Sequence, residues 1–278
     1  MNDLVKSLPR FLFFTGKGGV GKTSMSCVVA SALADHGKRV LLISTDPASN
    51  LDEVLETRLS GHPTPVAGAP GLWAMNIDPI QAAAEYRDRI VGPYRGVLPD
   101  DAVQSMEEQL SGACTVEIAV FQAFARAVSQ GKDRFMVLDT APTGHTLLLL
   151  DATDSYHREV AKNSEGVDQA VKDLLPHLRD PEFTKILLIT LPEATPVHEA
   201  ERLHEDLMRA QIQPFAWVIN QSFALSGTRD ALLAARGIHE LKYIDEVVSK
   251  NGDRVVIAPW LANETIGAEH LRALFHGS

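Results

Sequence analysis

The sequence predicts an α/β fold, in which a parallel β-sheet carries helices on both faces together with a helical insertion subdomain. Short, continuous apolar segments recur along the chain and alternate with stretches of helical character. Strands of a parallel sheet are buried on both faces, so they read as continuous apolar runs. A glycine-rich segment also separates the first such strand, residues 11–15, from the first helix, predicted over residues 24–36. Strand, glycine loop and helix in this order form a known α/β unit.

The glycine-rich segment, residues 16–23, fits the pattern G-x-x-x-x-G-K-[ST]. Glycines let backbone N–H groups turn towards an anion, and the N-terminus of the following helix favours negative charge. Lys22 is then expected to neutralise the β and γ phosphates of a nucleotide, while the Thr23 hydroxyl binds Mg²⁺. The alternative is a glycine-rich turn without a ligand. The pattern predicts a P-loop NTPase whose nucleotide site includes Gly16, Lys17, Gly18, Gly19, Val20, Gly21, Lys22, Thr23 and Ser24.

Polar residues or prolines follow the other predicted strands, which cover residues 40–45, 72–77, 135–138, 186–191, 215–219 and 255–258. In open α/β sheets, ligands bind outside the carboxyl ends of the strands. Asn220 and Pro259 come at two such ends and are therefore candidate nucleotide contacts.

Two helical insertions are expected within one domain that spans residues 1–278. The first covers residues about 80–130 and is broken near residues 92–93, 99 and 112. The second, about 156–178, is polar. No linker, repeat or low-complexity stretch divides the sequence, which favours a single domain.

Composition narrows the class of protein. The formal net charge of −10 argues against a general partner of nucleic acids or of an anionic membrane surface. No apolar run approaches the roughly 18 residues that span a bilayer, and the first apolar segment is too short for a secretory signal. Two cysteines in 278 residues indicate a reducing compartment. We expect a soluble cytoplasmic protein with no nucleic-acid partner.

Two aspartates at strand ends complete a hydrolytic arrangement. Asp139 directly follows an apolar strand, as expected of a carboxylate that binds Mg²⁺, and Asp46 follows a neighbouring strand, where it can orient water and sense Mg²⁺. Either aspartate could instead cap a helix. Lys17 cannot easily reach the phosphates that Lys22 already neutralises, so it is either a solvated loop lysine or a group that reaches a partner's γ-phosphate, as an arginine finger does.

Residues 13–23, 44–50 and 139–146 together resemble the ArsA arsenite-pump ATPases. These belong to the deviant-Walker-A NTPases, which dimerise, and the Get-pathway targeting ATPases are close relatives. The resemblance runs nearly end to end. It implies that Lys17 acts in trans, that Asp46 positions water, that Asp139 is the Walker B residue and that Asn220 contacts adenine. An asparagine amide can pair with adenine N6 and N7. The alternative is that Asn220 is only a turn residue at the end of a strand.

The chain departs from the family in its organisation. Familiar ArsA proteins join two halves on one chain, whereas this sequence resembles one. Its part through residue 114 looks like the first half, and residues 117–124 and 147–157 look like the second. A single ancestral-like unit and a fusion of two half-sequences are both compatible with this pattern. Either would need a second copy, so we expect a homodimer.

A metalloid site is the other expectation from the resemblance. As(III) and Sb(III) are thiophilic, and Cys114 precedes Thr115, a predicted N-cap, where a thiol is biased towards thiolate. By resemblance, Cys114 matches a metalloid cysteine and His145 a nearby histidine. The family's further cysteine has no counterpart in residues 156–178. The alternative is that Cys114 is a small buried apolar residue at the start of a helix, and Cys27 is expected in the core.

The expected activity is Mg²⁺-dependent ATP hydrolysis that energises arsenite or antimonite efflux through a membrane permease. The protein would be recruited peripherally to the membrane by that partner, with a metallochaperone as a further partner. One alternative is a targeting chaperone for tail-anchored proteins, which the polar, Met-free segment 156–178 disfavours. The other is a partitioning or positioning ATPase, which the acidic charge disfavours.

Overall fold

A computed structural model of the protein describes residues 9–46, 49–131, 133–140, 169–209, 211–262, 266–268 and 270–271. The strands are β1 (Phe11–Gly16), β2 (Val40–Ser44), β3 (Thr64–Pro65), β4 (Leu72–Asn76), β5 (Phe135–Asp139), β6 (Thr184–Thr190), β7 (Ala216–Ser222) and β8 (Val255–Pro259). The helices are α1 (Lys22–Asp35), α2 (Leu51–Val54), α3 (Pro79–Val91), α4 (Asp100–Gln109), α5 (Ala113–Gln130), α6 (Gln169–Arg179), α7 (Ala194–Arg209) and α8 (Ala231–Asn251). Short 3₁₀ helices cover Gly92–Tyr94 and Gly252–Arg254.

The strands form one sheet in the order β3-β4-β2-β5-β1-β6-β7-β8. Strands β1, β2 and β4 to β8 pair in parallel, and only the two-residue strand β3 is antiparallel to its neighbour. Strand β5 lies between β1 and β2, so that Asp139 is level with Phe14 on one side and with Ser44 on the other. The predicted α/β fold with a parallel sheet is confirmed.

Each face of the sheet has its own apolar core. Phe11 and Phe13 of β1 belong to one core, and Leu12 and Phe14 to the other, because successive side chains of a strand point to opposite faces. On the first face, Phe124 of α5 packs edge-on against Phe13, with ring centroids 6.0 Å apart. Helix α1 covers the second face. Burial on both sides explains why the strands read as continuous apolar runs.

The first helical insertion contains α3, α4 and α5, and its breaks fall where the prolines and glycines predict them. Helix α5 is part of the core against the sheet, so it belongs to the layer that covers the first face. Of the second insertion, about 156–178, only the residues from 169 onwards lie in the described part of the chain, and they begin α6.

Two predicted boundaries are wrong. Helix α5 begins at Ala113 with Gly112 as its N-cap, so Thr115 is a residue of the first turn and not the cap. Strand β7 continues past Ile219 to Ser222 through a register shift against β8, after which Ser222 pairs with Pro259. Among the helices that the structure describes, none has the length and apolar character needed to cross a membrane.

Candidate functional site

The glycine-rich loop between β1 and α1 is packed too closely for side chains at two of its positions. At Gly16 (φ +153°), a Cβ atom would lie 2.2 Å from the carbonyl oxygen of Ile189 in β6. At Gly21 (φ +88°), the N-cap of α1, it would lie 2.3 Å from the Asn220 amide nitrogen. The first glycine therefore lets the loop approach β6, and the last lets it approach β7 with a left-handed backbone.

Lys22 is the buried cation of this loop. It is the first residue of α1, and its Nζ donates a hydrogen bond to the Lys17 carbonyl oxygen at 3.1 Å. Burial lowers the pKa of Lys22, and the negative charges of Asp139 and Asp46 partly offset this shift. The ammonium is thus held inside the loop near two carboxylates.

Asp139 ends β5 and is fully buried. Its Oδ2 accepts hydrogen bonds from Thr23 Oγ1 at 2.7 Å and Ser44 Oγ at 3.1 Å. Burial raises the pKa of Asp139, against the lowering effects of the Thr23 hydrogen bond and the Lys22 charge. Among the described residues, its Oδ1 has no hydrogen-bond partner. Ser44 has no role in the sequence prediction, although the last residue of a strand beside β5 could have drawn attention to it.

Asp46 lies two residues beyond β2 and is partly exposed. Its backbone N–H donates to Ser44 Oγ at 3.3 Å, and the preceding Thr45 N–H donates to the Asp139 carbonyl oxygen at 3.0 Å. Its charge acts on the pKa values of both Lys22 and Asp139. The structure therefore brings together Lys22, Thr23, Asp46 and Asp139, as the sequence predicts.

This group of residues fits a Mg–nucleotide complex. Thr23, Asp46 and Asp139 provide the hydroxyl and carboxylate oxygens that Mg²⁺ prefers, and Asp139 Oδ1 has an unused acceptor position in the described part of the chain. Burial disfavours the charged forms of both Lys22 and Asp139. A bound phosphate would favour the charged form of Lys22, and a bound cation would favour the charged form of Asp139. A ligand that contains both would therefore offset both effects of burial.

The Lys17 side chain forms an ion pair with a helix, whereas the Lys22 side chain lies inside the loop. Its Nζ lies 2.9 Å from Glu199 Oε1 of α7, and the two side chains are 40% and 42% exposed. An exposed pair of this kind contributes about 0–1 kcal/mol. Sequence reasoning missed Glu199, because no motif marks a helical glutamate that contacts a distant loop.

The structure places Asn220 directly against the glycine-rich loop of residues 16–23, called the phosphate loop below. The side chain is buried, and its Nδ2 donates to the Val20 carbonyl oxygen at 2.9 Å. Pro259 is the last residue of the neighbouring strand β8 and pairs with Ser222. Both candidate base contacts thus lie on the neighbouring strands β7 and β8, and their contact with a base stays a prediction.

The predicted metalloid residues are only partly described. Cys114 is the second residue of α5, so it does lie at a helix N-terminus, although the cap differs from the predicted one. His145 lies outside the described residues. Cys27 of α1 faces the core and is fully buried. Burial raises the pKa of its thiol well above the usual value, which agrees with the expected packing role.

Comparison with known proteins assigns the family. The model of the ArsA-type anion-transporting ATPases matches residues 9–173 and 149–276. The chain belongs to this family. It is 42% identical over 274 residues to the "Arsenical pump-driving ATPase" of Acidiphilium multivorum and to that of Escherichia coli, matching 99% of this chain. The chain spans only 45% of the length of each of these anion-transporting ATPase relatives.

A more distant relative is "ATPase GET3A" of Arabidopsis thaliana. It is 28% identical over 315 residues, which cover 99% of this chain and 85% of that protein. The resemblance to ArsA ATPases, with Get-pathway ATPases as relatives, is therefore confirmed.

We predict that Lys22→Ala weakens the binding of ATP with Mg²⁺ at least tenfold. The change removes the buried ammonium, and hydrogen bonds to charged groups contribute about 1.5–3 kcal/mol. Isothermal titration calorimetry measures the affinity. The matched control is Lys38→Ala, an exposed lysine beyond the C-terminal end of α1, which should bind as the wild type does. Equal affinity of Lys22→Ala and Lys38→Ala would contradict the assignment of the loop.

Proposed function

We propose that this protein is a Mg²⁺-dependent ATPase that energises efflux of arsenite or antimonite through a membrane permease, working as a homodimer closed by nucleotide. The observation that carries the proposal is the buried group formed by Lys22, Thr23 and Asp139 at the carboxyl edge of the sheet. The names of the two relatives at 42% identity support the arsenical substrate class.

In the proposed mechanism the loop residues hold the triphosphate and the aspartates act at its end. Lys22 neutralises charge on the β and γ phosphates, and backbone N–H groups of the loop donate to their oxygens. Thr23 and Asp139 would hold Mg²⁺, and the bound cation would supply positive charge against the charge that develops on the phosphate oxygens. Asp46, partly exposed beside this group, orients the attacking water through its carboxylate.

Lys17 is assigned to the partner's active site. Its ammonium pairs with Glu199 rather than with the Lys22–Asp139 group, although the Lys17 carbonyl lies within hydrogen-bond distance of Lys22 Nζ. The exposed ion pair costs little to break, so approach of a partner's γ-phosphate can draw Lys17 away from Glu199. Stabilising the charge of the transition state across an interface is the action of an arginine finger.

A homodimer also accords with the length of the relatives. The arsenical pump-driving ATPases are about twice as long as the region that this chain matches. By the resemblance, such proteins contain two halves, and a second copy of this chain would take the place of the second half. A two-fold axis beside the phosphates would give each Lys17 access to the other copy's γ-phosphate.

Cys114 is the proposed metalloid ligand, together with His145. Cys114 lies in the first turn of α5, where the helix dipole favours a thiolate. Two Cys114 thiolates from a dimer could bridge one As(III) or Sb(III) ion, which would favour the closed state. The membrane permease would then recruit the ATPase peripherally, and a metallochaperone could deliver the metalloid.

A targeting chaperone for tail-anchored membrane proteins is the second candidate. It is supported by the likeness to GET3A, which covers most of both chains. The polar, Met-free sequence of residues 156–178 favours the first candidate, because a groove for a transmembrane helix needs a large apolar surface. A partitioning or positioning ATPase is the third candidate, and the formal net charge of −10 disfavours it.

We predict that ATP closes the dimer. A non-hydrolysable ATP analogue with Mg²⁺ should give a compact dimer, and ADP a monomer or an open dimer, because Lys17 needs a γ-phosphate to bridge the interface. Light scattering combined with small-angle X-ray scattering measures mass and shape. Specific ATPase activity should also fall when the enzyme is diluted below the dissociation constant of the dimer. A monomer at saturating analogue, with activity independent of concentration, would contradict the homodimer.

The variants Lys17→Ala and Asp139→Ala provide a control for the trans role. Each should be nearly inactive alone, whereas an equal mixture should recover about a quarter of wild-type activity. Half of the randomly assorted dimers are mixed, and each mixed dimer keeps one site with an intact Asp139 and an intact partner Lys17. No recovery, with dimerisation retained, would place Lys17 in its own chain's site.

We predict that antimonite stimulates ATP hydrolysis through Cys114. The metalloid binds a site that is complete only in the closed dimer, and a ligand shifts an equilibrium by its differential affinity for the two states. Steady-state hydrolysis with and without antimonite, on the wild type and Cys114→Ser, measures the effect. Cys27→Ser is the matched control, because that thiol is buried in the core. Equal stimulation of the wild type and Cys114→Ser would exclude Cys114 as the ligand.

A further inference from the structure

A buried carboxylate on α8 holds the segment that follows β7. Glu240 is only 4% exposed, and its Oε2 accepts hydrogen bonds from the Ser222 hydroxyl at 2.9 Å and from the Ala224 N–H at 3.2 Å. A buried carboxylate is costly unless it is hydrogen-bonded, so these two bonds fix Glu240 and the segment to each other.

Helix α8 also contacts this segment through its backbone. Gly237 lies one turn before Glu240, and a Cβ atom there would lie 2.9 Å from the Ala224 nitrogen. The ring of Phe223 stacks on Trp260, with centroids 5.1 Å apart, next to Pro259. Residues 222–224 are thus held between α8 and the end of β8.

The held segment determines how β7 ends. Gln221 has a left-handed backbone (φ +57°), and the pairing with β8 shifts between Ile219 and Ser222. Such a bulge re-aims the neighbouring side chains. Here Asn220 is buried and Gln221 is exposed, while the Ser222 carbonyl accepts from the Trp260 N–H at 2.9 Å. The direction of the Asn220 side chain depends on this bulge, and the bulge is anchored at Ser222.

The contact of Asn220 with the phosphate loop orients its amide. A carbonyl accepts only from a donor, so the bond to the Val20 carbonyl requires the NH₂ group of Asn220 and turns the Oδ1 atom to the other side. An acceptor oxygen suits the exocyclic amino group of adenine, whereas guanine offers a carbonyl oxygen at the equivalent position.

We propose that Glu240 is a positioning residue for the nucleotide base, which holds Asn220 through Ser222 and the β7 bulge and so sets the preference for adenine over guanine. The proposal rests on the proposed function, since it requires that the phosphate loop binds a nucleotide. In this proposal Glu240 acts through its hydrogen bonds to Ser222 and Ala224 rather than by contact with the base.

The test compares Glu240→Ala with Glu240→Gln. Alanine removes both hydrogen bonds, whereas the single amide oxygen of glutamine can still accept both, as Oε2 does in the structure. Calorimetry with Mg²⁺ gives the affinities for ATP, GTP and inorganic tripolyphosphate. The wild type should prefer ATP over GTP at least tenfold. Glu240→Ala should lose most of this ratio, Glu240→Gln should keep it, and tripolyphosphate affinity should stay within about twofold in both.

Two further variants make the result decisive. Ser222→Ala removes one of the two bonds, should reduce the ATP-to-GTP ratio partially, and serves if Glu240→Ala does not fold. Glu246→Gln, on the same helix but paired with Lys250, should keep the wild-type ratio. An unchanged ratio in Glu240→Ala and Ser222→Ala, or a wild type without base preference, would overturn the proposal. A wild type that binds neither tripolyphosphate nor ATP would overturn the proposed function and this proposal with it.

Discussion

The hydrogen bond from the Thr23 hydroxyl to the Asp139 carboxylate joins the start of α1 to the end of β5 across the sheet edge. Because this bond lies in the interior, the neighbouring residues must supply the remaining hydrogen bonds of the Asp139 carboxylate. A carboxylate that is fully buried must be hydrogen-bonded, and Ser44 of the other neighbouring strand provides the second donor. The strand order, which puts β5 between β1 and β2, is what brings both hydroxyls within reach.

Lys22 and Asp139 form a site that is electrostatically prepared for a charged ligand. Burial lowers the pKa of Lys22 and raises the pKa of Asp139, so it disfavours the charged form of both side chains. Preorganised charges of this kind interact strongly with a ligand, because they need not reorient when it arrives. The hydrogen bond from the Lys22 ammonium to the Lys17 carbonyl holds the glycine-rich loop around this buried charge.

The sequence predicts the parts of the site that depend on local pattern. The loop at residues 16–23 follows from its glycine spacing, and Asp46 and Asp139 follow from the rule that ligands bind at strand ends. Glu199 and Glu240 could not be predicted, because each acts on a segment distant in sequence through the packing of a helix. The sequence does not decide where α5 starts, because Gly112 and Thr115 are N-caps of about equal strength. It does not give the end of β7 either, because a bulge leaves no mark in the apolar pattern.

The central position of β1 has a consequence for how the chain folds. Strand β1 pairs with β5 and β6, and Phe11 of β1 pairs with Thr184 of β6. The pairing with β6 therefore forms only after residue 184 has been synthesised. Pairings between segments so far apart in sequence close slowly, because loop entropy opposes them. During synthesis, the apolar edge of β1 therefore stays open while β2, β4 and β5 can already assemble. A nascent chain of this kind is exposed to aggregation at that edge until β6 arrives.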